Sequence, residues 1–489
     1  MLRCTCTCSP ARTLARSPAR ALSTSPLAPP APTLPSHSTR PRARTAALHA
    51  ASPGGGGPAA RLAGAGQARW VSDLQTFRTR HGTVKVNLKS KAAVGSAQSR
   101  GERPYQEDTF AVSSLAIPSS ALRINVLDDR LGAGWVPEQL EGFEGEEPTE
   151  EGGERRRQVA YFAVFDGHGG AQTSKYLSTA LPSLIEKARP SAIPQAVDDY
   201  RALGGYLRRY RGGVLERFRR EAIEEEEKRV GGKEYVRGMG VDEMAVLAFL
   251  QADNHVLSAP PDQFGKSGSV GTVALLHSLD LPHSHPYYSS ALLSLTLAHL
   301  GDTSAILAST ASGRAYRLTQ AHHPDSRTEM ERLRTTGTGV ITDSFGESRW
   351  GGTLANTRGV GDREFKPLGV IAEPEIVKRV FKGDDFAYLL LLTDGITDSL
   401  SDQEICDLVR LEVSKTRELN NNPKAVASPE RAAKRVVGFA EDVGAEDNLT
   451  CLCIPLPGWP RLGGLDTTAS RREYRLRQAS TRMSRQKRM

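Results

Sequence analysis

Short apolar runs, each meeting an acidic residue close to one end, constrain the fold of this chain most strongly. The four runs with this pattern are Val159–Phe165, Leu292–Leu300, Phe386–Leu392 and Leu449–Leu456. Runs of this length and composition predict strands that are buried on both faces. Segments of helical periodicity separate them without strict alternation. This arrangement favours a layered sandwich with antiparallel sheets over a doubly wound parallel sheet.

The helical segments differ in how much of their surface they are expected to bury. Ala171–Lys187 and Asp242–Leu257 carry apolar residues at core-facing spacing. Ser401 and Glu404 form a capping-box pattern that predicts a helix start after the third apolar run. Tyr206–Val230 has alternating charge blocks and predicts a solvated helix.

Charge is distributed unevenly along the 489 residues, which carry a net charge of +8. Residues 1–72 contain nine Arg and no acidic residue, and residues 467–489 contain eight basic residues and one Glu. The body, 73–466, is left with 47 basic and 55 acidic residues, a net charge of −8. An acidic body argues against a nucleic-acid channel. No apolar run approaches the roughly 20 residues that span a bilayer, so an integral membrane protein is not expected.

Three regions follow from these patterns. Residues 1–72 have the cationic, acid-free composition of a mitochondrial presequence, which predicts the mitochondrial matrix; a basic tail without targeting function is the alternative. Residues 73–456 form the predicted domain, with surface insertions near 128–157 and 187–240. Residues 457–489 form a basic tail that is expected to be disordered. The few cysteines of the body suit a reducing compartment.

Acidic residues next to buried strands are the main candidates for chemistry. Asp166, Asp302 and Asp394 follow apolar runs, and Asp447 precedes one, with glycine beside three of them. Each alone is more simply explained by a turn, and Asp302 could turn a hairpin into Ser304–Ala308. Together they predict a dense negative site that needs a cation. Oxygen ligands favour Mg²⁺ or Mn²⁺, and the body has no Cys/His cluster for zinc.

Eight motifs, in order, give the chain its resemblance to a known family. It resembles the metal-dependent, type-2C (PPM-type) serine/threonine protein phosphatases between about Ser96 and Pro455. The resemblance implies an α+β fold, a four-layer α-β-β-α sandwich of two antiparallel sheets flanked by helices. The matching pieces are Arg103–Asp108, Phe165–Gly170, Ser267–Ala274, His299–Asp302, Thr319–Pro324, Ala355–Asp362, Thr393–Asp398 and Glu446–Thr450.

The resemblance also implies a role for each matching residue. Arg103 binds the substrate phosphate, and His168 is the candidate general acid. Asp302 and Asp398 serve a weaker third metal or shape the site, and Asn448 orients Asp447. The residues implied to hold two metal ions are Asp166, Gly167, Asp394, Asp447, Glu107 and Asp108.

The function implied is hydrolysis of phosphoserine and phosphothreonine on proteins by a metal-bridging hydroxide. Two alternatives stay open: a pseudophosphatase that only binds a partner, and another two-metal phosphohydrolase. Departures from the family pattern, such as Gly268–Thr272 and Asn356–Arg358, affect substrate preference rather than metal ligands.

Overall fold

The computed structural model describes residues 72–79, 82–128, 156–218, 238–280, 285–334, 340–342, 348–352, 354–422 and 425–486. All of them belong to the larger of two compact units of the chain, Arg69–Met489. The expected presequence and most of the first insertion, 128–157, lie outside the described residues.

The described strands, in chain order, are β1 (Leu74–Thr79), β2 (Gly82–Asn87), β3 (Gly95–Ser99), β4 (Thr109–Pro118), β5 (Arg156–His168), β6 (Gly268–Ser278), β7 (Leu292–Leu300), β8 (Ser304–Ser309), β9 (Ala315–Arg317), β10 (Val340–Thr342), β11 (Ser348–Trp350), β12 (Glu375–Lys382), β13 (Phe386–Leu392) and β14 (Leu449–Pro455). Ten of them form two five-stranded sheets. Sheet 1 has the order β12-β7-β6-β5-β4, and sheet 2 has the order β3-β14-β13-β8-β9. All neighbouring strands are antiparallel.

The described α-helices are α1 (Ser119–Asp128), α2 (Gln172–Lys187), α3 (Ile193–Ala202), α4 (Val241–Ser258), α5 (Pro261–Phe264), α6 (Arg327–Leu333), α7 (Asp394–Ser399), α8 (Asp402–Leu419), α9 (Pro429–Asp442) and α10 (Ala469–Gln486). The predicted capping box opens α8, where the Ser401 N–H and hydroxyl both donate to Glu404 Oε2 at 3.0 and 2.7 Å.

Side chains that alternate between the two faces of each strand build the layers of the fold. On β5, Tyr161 and Phe165 face a core shared with α2 and α4. Phe162 and Val164 point the other way, into a core between the two sheets that also contains β13 and β14 residues. A third core joins sheet 2 to α8 and α9. Period-two side chains with apolar residues on both faces require cover on both sides. The expected four-layer α-β-β-α sandwich is therefore confirmed.

Strand positions agree closely with the sequence prediction. β7 and β13 begin and end at the predicted residues, and β14 ends one residue earlier, at Pro455. β5 is longer than predicted and continues to His168. Within the described residues, no helix combines the length and apolarity that crossing a membrane requires.

The second insertion is more deeply integrated than the sequence predicts. The described part of the predicted solvated helix Tyr206–Val230 opens with a 3₁₀ turn, Gly205–Arg209. Tyr200 and Leu207 are fully buried in the core shared with α2 and α4. The prediction of a surface excursion is wrong for these residues, because the charged segment carries an apolar face that packs into the core, where α3 contacts α4.

The basic tail is also ordered where the structure describes it, so the expectation of disorder is wrong there. Helix α10 is anchored by Arg472, which is 5% exposed and donates to Asp466 Oδ2 at 2.5 Å. Asp407 Oδ2, from α8, accepts from the Thr468 N–H at 3.0 Å, just before α10 begins. An acidic acceptor at this position stabilises a helix N-terminus.

Candidate active site

Four acidic residues, each within or close to the end of a different strand, come together between the two sheets. Asp166 lies within β5, paired with Val270 of β6. Asp394 follows β13 as the first residue of α7, and Asp447 precedes β14, the neighbour of β13. Asp302 lies where the chain crosses from β7 in sheet 1 to β8 in sheet 2. The hairpin alternative for Asp302 is therefore wrong.

Asp166 and Asp394 form the centre of this acidic cluster, and their carboxyl groups hydrogen-bond each other. Burial raises the pKa of Asp166 well above its ordinary value, and the charges of Asp394, Asp108 and Asp302 raise it further. Burial and the charges of Asp302 and Asp398 act in the same direction on the pKa of Asp394. Carboxylates this close cannot all stay ionised without a neutralising cation.

Among the described residues, two further carboxyl groups each keep one buried oxygen without a hydrogen-bond partner. Asp108 Oδ2 accepts from Thr393 Oγ1 and Thr450 Oγ1, both at 2.8 Å, whereas its Oδ1 has no partner. Burial raises the pKa of Asp108 to about 6. Asp302 Oδ2 accepts from Asn356 Nδ2 at 2.6 Å, and its Oδ1 is likewise unpartnered. Buried polar atoms are normally satisfied, so these two oxygens need a ligand.

The cluster fits a hard divalent cation by its chemistry. Its potential donors are carboxylate oxygens, which Mg²⁺ and Mn²⁺ prefer. The positions of the side chains differ from those of an assembled metal site, because in the described part of the chain no three or more His, Cys, Asp or Glu side chains converge closely enough to hold an ion. Several of the carboxylates accept hydrogen bonds from protein donors instead, as Asp302 does from Asn356.

Gly167 lies where no side chain fits. A Cβ there would collide with the carbonyl oxygen of Glu107 and lie 3.0 Å from Ser174 Oγ. Ser174 Oγ donates to the same Glu107 carbonyl at 2.5 Å, which holds the Glu107 segment against β5. The glycine is thus required by packing, and its implied role as a carbonyl ligand stays a prediction.

The Arg103–Asp108 segment is tied to the second sheet by Asn448. Asn448 Oδ1 accepts from the Glu107 N–H at 2.7 Å, and its Nδ2 donates to the Tyr105 carbonyl at 3.0 Å. Arg103 Nη2 donates to Asp447 Oδ2 at 2.6 Å, and both side chains are partly exposed. The backbone N–H of Asn448, rather than its side chain, donates to Asp447 Oδ1 at 2.7 Å.

His168 has a partner outside the predicted set of site residues. Its Nε2 lies 2.8 Å from Asp362 Oδ1, 194 positions away. Burial lowers the pKa of His168, but the hydrogen bond and charge of Asp362 outweigh this effect and raise it above its ordinary value. Asp362 has a left-handed backbone, with φ of 50°. Both Asp362 and Asn356 lie in the motif Ala355–Asp362, which is the feature that could have identified them.

Comparison with known proteins decides the family. A sequence model described as "Protein phosphatase 2C" matches residues 133–449. The chain belongs to the protein phosphatase 2C family. As the motifs predicted, it is a metal-dependent protein serine/threonine phosphatase.

Relatives within the protein phosphatase 2C family differ in how much of their length is matched. "Protein phosphatase 2C homolog 4" of Schizosaccharomyces pombe is 35% identical over 308 residues, 62% of this chain and 72% of that one. "Protein phosphatase 1K, mitochondrial" of Xenopus laevis is 26% identical over 305 residues, 62% of each chain. The solved serine-threonine phosphatase 2C from Toxoplasma gondii aligns with a TM-score of 0.44 at 16% identity, covering 74% of this chain and 94% of that one.

Proposed function

We propose that the acidic cluster holds two divalent cations, Mg²⁺ or Mn²⁺, and that the chain uses them to hydrolyse phosphoserine and phosphothreonine on protein substrates. The observation that supports this most directly is the set of mutually repelling carboxyl groups around Asp166 and Asp394, with unpartnered oxygens on Asp108 and Asp302. When bound, the ions supply hydroxide at neutral pH and neutralise charge on the phosphoryl group.

The residues proposed to hold the cations come from four segments of the chain. Asp302 and Asp398 are proposed to complete a weaker third position or to shape the site. The proposed ligands are Asp166, the Gly167 carbonyl, Asp394, Asp447, Glu107 and Asp108, some of them acting through water.

Two further side chains would act on the substrate. Arg103 is exposed and close enough to the cluster to pair with Asp447, so it would bind the phosphate oxygens as charge shifts toward them. His168, oriented by Asp362, would donate a proton to the leaving serine or threonine oxygen. No covalent phosphoenzyme is required.

The test is the Asp166→Asn variant, assayed with a phosphopeptide and Mn²⁺. We expect loss of nearly all metal-dependent turnover, with Asp442→Asn, at the exposed end of α9, as the control that keeps full activity. Substantial activity of Asp166→Asn would reject the assignment. Calorimetric titration with Mn²⁺ distinguishes a phosphatase, which should bind the metal, from a pseudophosphatase that has lost it. Comparing activity on a phosphopeptide with activity on a nucleotide monophosphate distinguishes a protein phosphatase from other phosphohydrolases.

We also propose that the enzyme acts in the mitochondrial matrix on phosphoproteins there. The support is the Arg-rich, acid-free segment 1–72 together with relatives named as mitochondrial. The test is import of the full chain into isolated mitochondria, compared with a chain that begins at residue 73. Equal exclusion of both chains would overturn the proposal.

A further inference from the structure

A basic cavity lies in the second insertion, outside the acidic cluster. It has a volume of about 670 Å³. Four arginines and two glutamates line it, so its walls carry a net positive charge. The charged lining residues are Arg208, Arg209, Arg211, Arg332, Glu216 and Glu373.

Both glutamates and two of the four arginines of this cavity already have partners. Glu373 Oε2 accepts from the Tyr210 hydroxyl at 2.9 Å, and Glu216 lies 3.8 Å from Arg211. Arg332 is held by Glu329 at 2.7 Å. Within the described residues, Arg208 and Arg209 are exposed and make no side-chain hydrogen bond or ion pair. Two guanidinium groups with ten N–H donors between them are therefore available to an anion.

The turn that carries these arginines is rigidly held. Leu207, between Tyr206 and Arg208, is fully buried in the core. Arg201 Nε donates to the Tyr210 carbonyl at 2.7 Å, which closes the turn from the other side. Gly205 has a φ of 53°, and its Cα packs so closely on Pro367 that no Cβ fits. A preorganised turn loses little conformational entropy when the cavity binds a ligand.

Pro367, against which Gly205 packs, limits the distance between this edge of the cavity and Asp362 of the proposed active site. It lies five residues after Asp362, the partner of His168. Five residues span at most about 18 Å, and only about 10 Å in the 3₁₀ turn Arg363–Leu368 that connects them. An extended peptide covers that range with about three to six residues.

We propose that this cavity binds an acidic side chain of the protein substrate, three to six residues from the phosphoserine that is hydrolysed. The inference rests on the proposed function and adds a substrate class to it: phosphoproteins with clustered negative charge. Arginine is suited to this task because its planar guanidinium binds carboxylate and phosphate with two hydrogen bonds.

The test compares pairs of phosphopeptides that carry either Glu or Gln at three to six residues from the phosphoserine. The wild-type chain should show a kcat/KM about tenfold or more higher for the Glu peptides, mainly through KM, and the difference should shrink at high salt. Arg208→Glu/Arg209→Glu should abolish the difference while leaving hydrolysis of p-nitrophenyl phosphate unchanged. The control with the same charge change is Lys415→Glu/Arg435→Glu, on exposed positions of α8 and α9.

The outcomes separate the two proposals. Hydrolysis of p-nitrophenyl phosphate without any preference between Glu and Gln peptides overturns the docking cavity and leaves the proposed function intact. Absence of any Mn²⁺-dependent hydrolysis overturns the proposed function instead. In that case fluorescence anisotropy of the labelled Glu peptide on the full chain still decides the cavity: binding that Arg208→Glu/Arg209→Glu removes supports it, and equal binding overturns it.

Discussion

Lys366 and Asp253 form an ion pair in the interior of the protein, with Nζ 2.7 Å from Oδ2 and both side chains at most 1% exposed. The same carboxyl group accepts from the Tyr200 hydroxyl and from the Gly361 N–H. Lys366 Nζ also donates to the Gly359 carbonyl at 2.8 Å. These bonds fix the segment that ends in Asp362 and so position the partner of His168.

Breaking this pair from one side should destabilise the fold strongly. Lys366→Met leaves the Asp253 carboxyl buried without its cation, and we expect a loss of about 3–5 kcal/mol in the free energy of unfolding by urea. Arg327→Met removes the exposed pair with Glu331 and should cost less than about 1 kcal/mol. A Lys366→Met protein as stable as the Arg327→Met protein would contradict the structure.

Removing the charge of Asp362 should lower kcat on substrates with a basic leaving group and leave kcat on substrates with an acidic leaving group nearly unchanged. Asparagine tolerates the left-handed backbone at this position, so Asp362→Asn should keep the fold. Serine leaves as a strongly basic alkoxide that needs a proton, whereas p-nitrophenolate does not. We expect kcat on a phosphopeptide to fall by about 10²-fold or more, with little change on p-nitrophenyl phosphate. Equal losses on both substrates, or none beyond those of the exposed neighbour Glu364→Gln, would exclude this role.

Replacing Asp394 of the acidic cluster by asparagine should raise the melting temperature without metal and remove the rise in melting temperature that metal causes. In EDTA, Asp394→Asn removes a buried carboxyl group that Asp302 and Asp398 repel and whose charge raises the pKa of Asp166, so its melting temperature should rise above that of the wild type. Mn²⁺ should raise the melting temperature of the wild type and of Asp442→Asn, but not that of Asp394→Asn. Thermal unfolding by circular dichroism measures both effects. A variant that is less stable in EDTA and still stabilised by Mn²⁺ would contradict the prediction.

Stability at acid pH should depend on Glu329. Burial alone would raise its pKa, but hydrogen bonds and charges from Arg358 and Arg332 outweigh burial and lower it from 4.5 to about 2. A lowered pKa in the folded state stabilises the protein above pH 4.5, and this contribution of up to about 3 kcal/mol is lost as the pH falls from 4.5 to 2. Urea unfolding between pH 3 and 5 should show a shallower pH dependence for Glu329→Gln than for the wild type. Glu331→Gln, exposed on the same helix, should follow the wild type; an unchanged slope in Glu329→Gln would refute the assignment.

The strands and the acidic residues beside them could be predicted because both depend on local pattern. Apolar runs bounded by polar residues located β7 and β13, and Ser401 and Glu404 located the start of α8. The link between His168 and Asp362 could not be predicted, because it depends on a loop 194 positions away whose conformation is set by the Lys366–Asp253 pair.

The wrong predictions for the second insertion and for the tail share a physical cause. Charged residues dominate both segments, so their composition indicates solvent exposure. In the insertion, apolar residues such as Leu207 pack into the core beside sheet 1, and in the tail Arg472 Nη1 lies 3.8 Å from Asp407 Oδ2 of α8. Composition averages over such residues and misses them.

The anchoring of α10 matters for any attempt to shorten this protein. Glu404 is fully buried, yet its Oε1 lies 3.4 Å from Arg471 Nε and 3.3 Å from Arg475 Nε, both supplied by α10. A chain cut back to residue 456 would therefore expose the acidic end of α8 to water and leave Glu404 without these two arginines. A minimal catalytic fragment should keep its carboxyl terminus at least to Gln486, and affinity tags are better attached elsewhere.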